Sequence, residues 1–393
     1  MRRLTFILAA ITVLSCGRAQ HSETMGQLHD RVFALARVQT VYMDGLLTEG
    51  RYPRTFQGDT LVTSDIGWWT SGFYPGVLWQ IYEETADLQF RELAVKHTLP
   101  LAILLDRETD HDIGFQLNSS FGKWFLIDNF DPQEEAVLSP REIGDILEKG
   151  AAKLAGRFIP EVGVIRSWNF GNWNIPVIID NMMNLELLMK NGYREIAEKH
   201  ALTTMKNHFR KDGTSFHLVD YADDGSVLGR QTVQGYADDS AWGRGQAWAL
   251  YGYAMMASFE REMGSEDQEK TFYDVAAKLE SWLMESLPED GIPYWDFSQT
   301  DYKDASAAAI IASGLLKMWL LRDCQANDPA LRTAEHILRT LASPEYLAEP
   351  CTNGGFLLKH SVGNLPGQSE VDVPLTYADY YFLEALSLYP YEN

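Results

Sequence analysis

Apolar residues recur at intervals of three and four through most of the chain, which is the spacing of a helix with one buried face. Alternating apolar and polar residues, typical of strands, are scarce. The clearest run lies in 211–232 between Asp/Gly turn signals, and it predicts a hairpin or an extended loop. We therefore predict an all-α fold of about a dozen helices with hardly a strand. The predicted helices cover 25–47, 71–83 (capped by Thr70 or Ser71), 87–105, a segment after 115, 140–158, 182–188, 193–210, 240–256, 268–287, 305–321, 329–341 and 374–386.

Helices rich in small or aromatic residues recur along the chain, each after a polar or acidic loop. They start near Gly72, Asp180, Ser240, Asp304 and Thr376, and the last four are spaced by about 60 to 70 residues, which suits repeated helix pairs. Small-residue helices fit a tightly packed inner ring, and the amphipathic helices between them fit an outer ring. This pattern predicts a barrel of six helical hairpins with polar loops at one end. A straight solenoid is the alternative, but the chain lacks distinct capping repeats.

The stretch 234–253 concentrates polar and aromatic residues at the start of an apolar helix. Asp238 and Asp239 are followed by Trp242, Arg244 and Trp248. One interpretation is a buried helix with an acidic N-cap and no functional role. The other is a helix that opens onto a polar site. Arg244 favours the second interpretation, because an arginine within such an apolar stretch needs a partner anion.

Charge and composition narrow the classes of function. The 393 residues carry a formal net charge of −22, which argues against general affinity for nucleic acid or for anionic membranes. Aromatic residues make up 12% of the chain, and many of the 11 tryptophans lie beside Gly, Asn, Asp or Ser. Such rings suit a carbohydrate cleft, and they also suit a large core. Cys324 and Cys351 do not form a disulfide framework, although one bridge between them is compatible with the sequence.

Residues 1–20 have the features of a targeting segment, with Arg2 and Arg3 before the apolar run 4–14. Residues 13–16 resemble a lipobox in which Cys16 would carry the lipid; ordinary cleavage after 17–19 is the alternative. We therefore expect an exported protein, periplasmic or an outer-membrane lipoprotein of a Gram-negative-type bacterium. Residues 21–393 are expected to form a single catalytic domain, with no later stretch apolar enough to cross a membrane.

Carboxylates in aromatic loops are the best candidates for chemistry. Metal-ligand spacings, glycine-rich phosphate loops and G-x-S-x-G motifs are absent from the sequence, so we predict neither a metal nor a cofactor. Asp112 and Asp180 could act across a sugar cleft as an acid and a base or nucleophile. Apolar neighbours such as Ile178 and Ile179 would raise the pKa of Asp180 by desolvation. A simple N-cap is the competing explanation for Asp180.

Residue types alone do not choose among the loop acids. Four further residues are equally eligible on this argument: Asp65, Asp239, Asp304 and Asp372.

A family resemblance adds information, because a series of short motifs spans nearly the whole chain after residue 20 in a consistent order. These motifs are WTSGF at 69–73, HDIGF at 111–115, IDN at 179–181, DGTSFH at 212–217, QGYADDSAW at 234–242, RGQAW at 244–248 and YADY at 377–380. They resemble motifs of the unsaturated glucuronyl hydrolases, glycoside hydrolase family 88. The resemblance implies an (α/α)6 barrel, in agreement with the hairpin pattern.

The resemblance also implies a reaction. Polysaccharide lyases leave a 4,5-unsaturated uronic acid at the non-reducing end of glycosaminoglycan oligosaccharides, and these enzymes hydrate its C4=C5 enol ether. A proton reaches C4, oxygen adds at the cationic C5, and the resulting hemiketal opens and releases the remaining sugar. Charge develops as in an oxocarbenium ion, so both an acid and a negative neighbour are required.

Roles for individual residues follow from the same resemblance. Asp180 is implied as proton donor, and Asp112 as nucleophile or stabiliser of the cation. The implied substrate-binding residues are His111, His217 and Gln234 for hydroxyls, Arg244 for the uronate carboxylate, and Trp69, Trp168 and Trp248 for sugar rings. Trp173, which lies close in the same loop, is the alternative to Trp168. Thr232 and the last loop, which includes Ser361, correspond to regions that contact sulfated substrates; this loop has no basic cluster.

Two other functions fit the sequence. An unsaturated rhamnogalacturonyl hydrolase could use the same barrel, and a non-catalytic sugar-binding lipoprotein would bind without turnover. The expected ligands under the main hypothesis are unsaturated uronic-acid disaccharides and short oligosaccharides.

Overall fold

The structure is a computed structural model that describes residues 23–130 and 137–391. The predicted targeting segment, including Cys16, lies outside the described residues. Within them, the hydrophobic periodicity produces the helices that the sequence predicts, with most boundaries within a few residues. In chain order they are α1 (Met25–Leu46), α2 (Phe73–Thr85), α3 (Leu88–Thr98), α4 (Ile113–Leu117), α5 (Lys123–Phe130), α6 (Pro140–Ala155), α7 (Asn181–Lys190), α8 (Arg194–His208), α9 (Gly243–Glu262), α10 (Glu266–Ser286), α11 (Ala305–Leu321), α12 (Pro329–Leu341) and α13 (Thr376–Leu388).

The small-residue helices form a closed inner ring. Helix α2 packs against the segment formed by α4, a π-helical turn (Asn118–Gly122) and α5; the ring then continues through α7, α9, α11 and α13 and returns to α2. The outer helices α1, α3, α6, α8, α10 and α12 each pack on this ring. The predicted (α/α)6 barrel is therefore the fold of the protein, and the solenoid alternative is wrong.

Inner helices approach closely because small residues lie where they touch. A Cβ atom on Gly252 of α9 would lie 2.5 Å from the Met182 side chain of α7. A Cβ on Gly76 of α2 would lie 2.6 Å from the Ser119 carbonyl oxygen. Nearly every residue of α11 is buried, as expected for a helix surrounded by others.

Outer helices are amphipathic and begin with capping side chains. In α6, Ser139 and Glu142 form a capping box, and Pro140 occupies the first turn. In α12, Asp328 accepts a hydrogen bond from the Ala330 backbone N–H. These local signals explain why the sequence predicted the start of both helices correctly.

The expectation of hardly any strands needs correction, since the described residues contain nine short strands in the loops. They are β1 (Tyr52–Gln57), β2 (Thr60–Ser64), β3 (Phe158–Ile159), β4 (Val164–Ile165), β5 (Ile175–Ile178), β6 (Leu218–Tyr221), β7 (Val227–Gln231), β8 (Ser361–Asn364) and β9 (Ser369–Val373). All pair antiparallel, in the order β1-β2, β3-β4, β5-β6-β7 and β8-β9. The predicted hairpin in 211–232 is β6 and β7.

Several local predictions are also corrected. The residue before α2 is Gly72, which has no side-chain cap, so neither Thr70 nor Ser71 caps this helix. Helix α9 begins after Trp242 rather than after an acidic N-cap. Cys324 and Cys351 are both exposed and unpaired. None of the helices in 23–130 and 137–391 is long and apolar enough to span a membrane.

Candidate active site

A cavity of about 270 Å³ lies at the end of the barrel where the inner helices begin. Eight of the predicted site residues line it: Trp69, His111, Asp112, Trp168, Asp180, His217, Gln234 and Arg244. Seven come from loops that precede different inner helices, and Arg244 lies in the first turn of α9, so the closed ring brings them together. Asp112 and Asp180, 68 positions apart in the sequence, thus face one cavity.

Asp180 lies just after the end of β5 and directly precedes α7. Its backbone is already in the αR region (φ −54°, ψ −29°), and its side chain makes no capping hydrogen bond, so the N-cap explanation is wrong. The side chain is 13% exposed. Burial raises the pKa of Asp180 to about 7, while Arg244 and the indole N–H of Trp248 favour the charged form. The predicted effect of desolvation on this carboxyl group is confirmed.

Asp112 directly precedes α4, and its backbone N–H donates to Asp110 Oδ1 at 2.9 Å. Burial raises the pKa of Asp112 well above its ordinary value, and the negative charges of Asp110 and Asp180 raise it further. Arg157 acts in the opposite direction. Because the charge of Asp180 disfavours ionisation of Asp112, the pair retains a proton at higher pH than isolated carboxyl groups and can supply an acid beside a carboxylate.

His217 faces Asp180, with Nε2 3.8 Å from Asp180 Oδ2. Its Nδ1 accepts hydrogen bonds from the backbone N–H groups of Val233 (3.1 Å) and Gln234 (3.3 Å). Burial, with Arg244 and His208, lowers the pKa of His217 to about 3, so the ring is neutral. A neutral ring that accepts at Nδ1 carries its proton on Nε2, which therefore points a donor toward the cavity.

His111 lies beside Asp112, with Nε2 3.4 Å from Asp112 Oδ1. Its ring is 1% exposed, and burial lowers its pKa to about 4. Its Nδ1 lies 3.3 Å from the amide nitrogen of Asn184. Each carboxylate of the pair thus has a neutral histidine next to it.

Arg244 has the partner anion that its sequence context requires. Its guanidinium is 3.4 Å from Asp304, which also caps α11 through Ser306 and Ala307. The guanidinium donates to the carbonyl oxygens of Val362 and, at 2.6 Å, Gly363 in β8. Its Nε–H is buried and has no hydrogen-bond partner among the described residues.

Aromatic rings form much of the cavity wall. Trp69 packs against Phe115 (5.6 Å between ring centroids) and Tyr377 (4.9 Å). At the mouth, Phe170 stacks on Trp168 with centroids 5.3 Å apart and ring planes 13° apart, and Phe170 is 66% exposed. The wall therefore offers flat apolar faces of the kind that pack on sugar rings.

Three predicted binding residues do not line the cavity. Trp248 is fully buried, and it packs on Phe115 and Tyr381 at about 5 Å. It cannot stack on a sugar, and it contacts the site through Phe115, which lines the cavity, and through Asp180. Ser361 is also fully buried, so the contact expected for it is not available in this structure. Thr232 Oγ1 lies 3.3 Å from His217 Nδ1 and accepts the Gly235 N–H, which gives Thr232 a supporting position.

Some residues of the site belong to no motif and were not predicted from the sequence. Trp68, Asp110, Phe170 and Asn364 also line the cavity, and so does Trp173, the alternative to Trp168. Arg157 donates to the carbonyl oxygens of Thr109, Arg166 and Ser167, and so ties the loop before Asp112 to the loop that carries Trp168. Among the residues that were not predicted, Asp110, two residues before Asp112, is the one that the sequence itself could have indicated. Among the described residues, no cluster of His, Cys, Asp or Glu is arranged to hold a metal ion.

Comparisons with known proteins identify relatives along most of the chain. The unsaturated glucuronyl hydrolase of Formosa agariphila is 39% identical over 333 residues, which is 81% of this chain and 79% of that protein. The unsaturated glucuronyl hydrolase of Bacillus sp. strain GL1 is 31% identical over 363 residues, covering 86% of this chain and 90% of that protein. No protein-family model matches the chain.

A comparison with solved structures gives the same result as the sequence comparisons. The crystal structure of an unsaturated glucuronyl hydrolase specific for heparin superposes with a TM-score of 0.84 at 40% identity, covering 92% of this chain and 96% of that one. Fold, cavity and sequence lead to one assignment: the chain belongs to the unsaturated glucuronyl hydrolase family.

Proposed function

We propose that this protein removes 4,5-unsaturated uronic acid from the non-reducing end of lyase-generated glycosaminoglycan disaccharides by hydrating the C4=C5 enol ether. The observation that carries the proposal is the pair of carboxyl groups with raised pKa values, Asp112 and Asp180, in one aromatic cavity beside a buried guanidinium. An acid and a negative neighbour are what proton addition at C4 and a cationic C5 require.

Asp180 is the proposed proton donor. Its pKa of about 7 leaves it partly protonated at neutral pH, close to the value at which a general acid is most effective. Asp112 is the proposed second carboxylate, which stabilises positive charge at C5, or bonds to C5 and is displaced as water adds there. Water that adds at C5 loses its proton to the carboxylate left on Asp180, and the hemiketal then opens without further help from the protein.

Anionic substrate is favoured by the electrostatics of this end of the barrel. The inner helices α2, α4, α7, α9, α11 and α13 all begin here, and helix N-termini carry partial positive charge. The Arg244 side chain is the proposed partner of the uronate carboxylate. His217 Nε2–H and the Gln234 side chain are placed to bind hydroxyls, and Trp69 and Trp168 to pack on the rings.

The proposed substrates are heparin-, chondroitin- or hyaluronan-derived disaccharides, with heparin-type ones first because a heparin-specific relative is 40% identical. Arg244 is the one cationic side chain among the described residues that line the cavity. We therefore expect unsulfated or lightly sulfated disaccharides to react faster than heavily sulfated ones. Export, with Cys16 as a lipid-attachment residue, remains part of the proposal.

The test is turnover of a panel of unsaturated disaccharides, followed by loss of the ultraviolet absorbance of the enol ether. Heparin, chondroitin and hyaluronan products are compared with unsaturated rhamnogalacturonan disaccharide. Turnover within the first set alone supports the proposal. Turnover of the rhamnogalacturonan product alone would establish the rival hydrolase, and binding without turnover of any member would establish a non-catalytic protein.

A further inference from the structure

A buried chain of contacts runs from the backbone of α4 through Asn184 and His111 to Asp112. It consists of two hydrogen bonds and the 3.4 Å approach of His111 Nε2 to Asp112 Oδ1. Asn184 lies on α7, one helical turn after Asp180, and is fully buried. We propose that Asn184 is a positioning residue that holds His111 as the tautomer with its proton on Nε2, facing the Asp112 carboxylate. The proposal deepens the proposed function, since it rests on the catalytic role of Asp112.

The orientation of the Asn184 amide is set by a group that can only donate. The backbone N–H of Phe115 donates to Asn184 Oδ1 at 2.8 Å, so the oxygen must be on that side. The side chain is also confined, because a Cβ on Gly114 would lie 2.4 Å from the same oxygen. The amide nitrogen is therefore the atom that faces His111.

The amide nitrogen then sets the tautomer of His111. Asn184 Nδ2 is 3.3 Å from His111 Nδ1, and an amide N–H can only donate, so Nδ1 must accept. The ring is neutral at pH 7, because burial lowers its pKa to about 4. Its single proton is consequently on Nε2, 3.4 Å from Asp112 Oδ1, where the N–H dipole favours the ionised carboxylate.

Asn181 is the other side chain that competes for the His111 ring. Asp110 and a side-chain interaction with Asn181 favour the imidazolium, and Arg157 opposes it. Asp112 itself faces Nε2. The neighbouring Asn181 is held by donation to the Ile165 carbonyl oxygen at 2.9 Å, and its side-chain oxygen lies 3.4 Å from Asn184 Nδ2.

His217 has the same tautomer as His111, but a different kind of donor fixes it. His217 also directs Nε2–H toward a catalytic carboxylate, but its Nδ1 receives backbone N–H groups, which no side-chain substitution removes. For His111, the corresponding donor is a side chain. The tautomer next to Asp112 can therefore be reversed by a single substitution.

The test is Asn184→Asp, which keeps the shape and keeps an acceptor for the Phe115 N–H. The new carboxylate presents an acceptor to His111 Nδ1. Either the ring proton moves to Nδ1, so that Nε2 no longer points a donor toward Asp112, or the ring takes up a second proton and becomes charged. We expect kcat to fall by about ten- to a hundredfold, the loss of one hydrogen bond to a charged group, with KM little changed. Asn191→Asp, at the far end of α7, adds the same charge and should leave kcat unchanged.

Nuclear magnetic resonance of ring-¹⁵N histidine gives a readout that a merely structural role would not change. Wild-type His111 should show the Nε2–H tautomer from pH 6 to 8, and Asn184→Asp should show a protonated Nδ1. The wild-type spectrum tests the proposal even if the variant does not fold. An Nδ1–H tautomer in the wild type, or normal kcat in a folded Asn184→Asp variant, would overturn it. Lack of turnover by wild-type enzyme on every disaccharide would instead refute the proposed function.

Discussion

Replacement of Asp180 by asparagine should abolish turnover and, at alkaline pH, make the protein more stable. Asparagine keeps the shape of the side chain but cannot deliver a proton to C4. It also cannot ionise, and in the native structure ionisation of this buried carboxyl group is unfavourable. Loss of activity and gain of stability thus follow from one feature, the burial of the acid.

The size of the effect follows from the pKa of the folded and unfolded states. The carboxyl group titrates at about 7 in the folded protein and near its ordinary 3.8 when unfolded. Below about pH 3.8, both states hold the proton and the pKa difference has no effect. As pH rises from 3.8 to 7, the unfolded state alone releases it, so wild-type stability falls by up to about 4 kcal/mol. Above pH 7 the difference between wild type and Asp180→Asn should remain constant.

The assay is denaturant unfolding of both proteins at pH 5 and pH 8, with enol ether turnover measured at pH 7. The stability that Asp180→Asn gains over wild type should be about two to three times larger at pH 8 than at pH 5. Asp145→Asn, on the exposed face of α6, is the matched control and should show no such pH dependence. A stability difference that is the same at both pH values would refute the burial argument, and retained turnover would remove Asp180 from its role.

Three further predictions concern the same cavity. The kcat/KM of the wild type should fall about tenfold per pH unit above pH 7 as the acid is lost, and a flat profile from pH 7 to 9 would contradict this. Arg244→Leu should destabilise the protein by about 3–5 kcal/mol in denaturant unfolding, because Asp304 is left buried without its cation; Arg244→Leu with Asp304→Asn should recover part of that loss without restoring turnover. Phe170→Ala, at the exposed mouth, should raise KM for unsaturated tetrasaccharides more than for disaccharides and change stability by less than about 0.5 kcal/mol; equal KM changes would exclude a role beyond the first two sugars.

Local signals decided most of the secondary structure. Helix α12 begins at Pro329 after the capping Asp328, and α11 begins after Asp304, where the sequence predicted both starts. These signals depend on neighbours a few residues away, so they can be read directly. Apart from the hairpin of β6 and β7, the strands were missed because most are short and lie in loops, where pairing across the chain rather than an alternating pattern stabilises them.

The residues of the site likewise fall into those that the sequence indicated and those that only the structure revealed. The sequence identified Asp112, Asp180 and Arg244 as residues that need an explanation, and the resemblance assigned them roles. It could not show that Trp248 is enclosed by Phe115 and Tyr381, because the packing of aromatic rings is decided where inner helices meet.

Tertiary structure alone decided which groups control the carboxylates. Asn184 looks like any polar residue of a helix until α4 is placed against α7, and only then does its amide meet His111. Likewise, the cap of α11, Asp304, became the counter-ion of Arg244 only when the ring closed. The sequence by itself determined the helices, their likeness to a known family and the candidate acids. Closure of the barrel determined their burial, and burial sets the pKa values on which the chemistry depends.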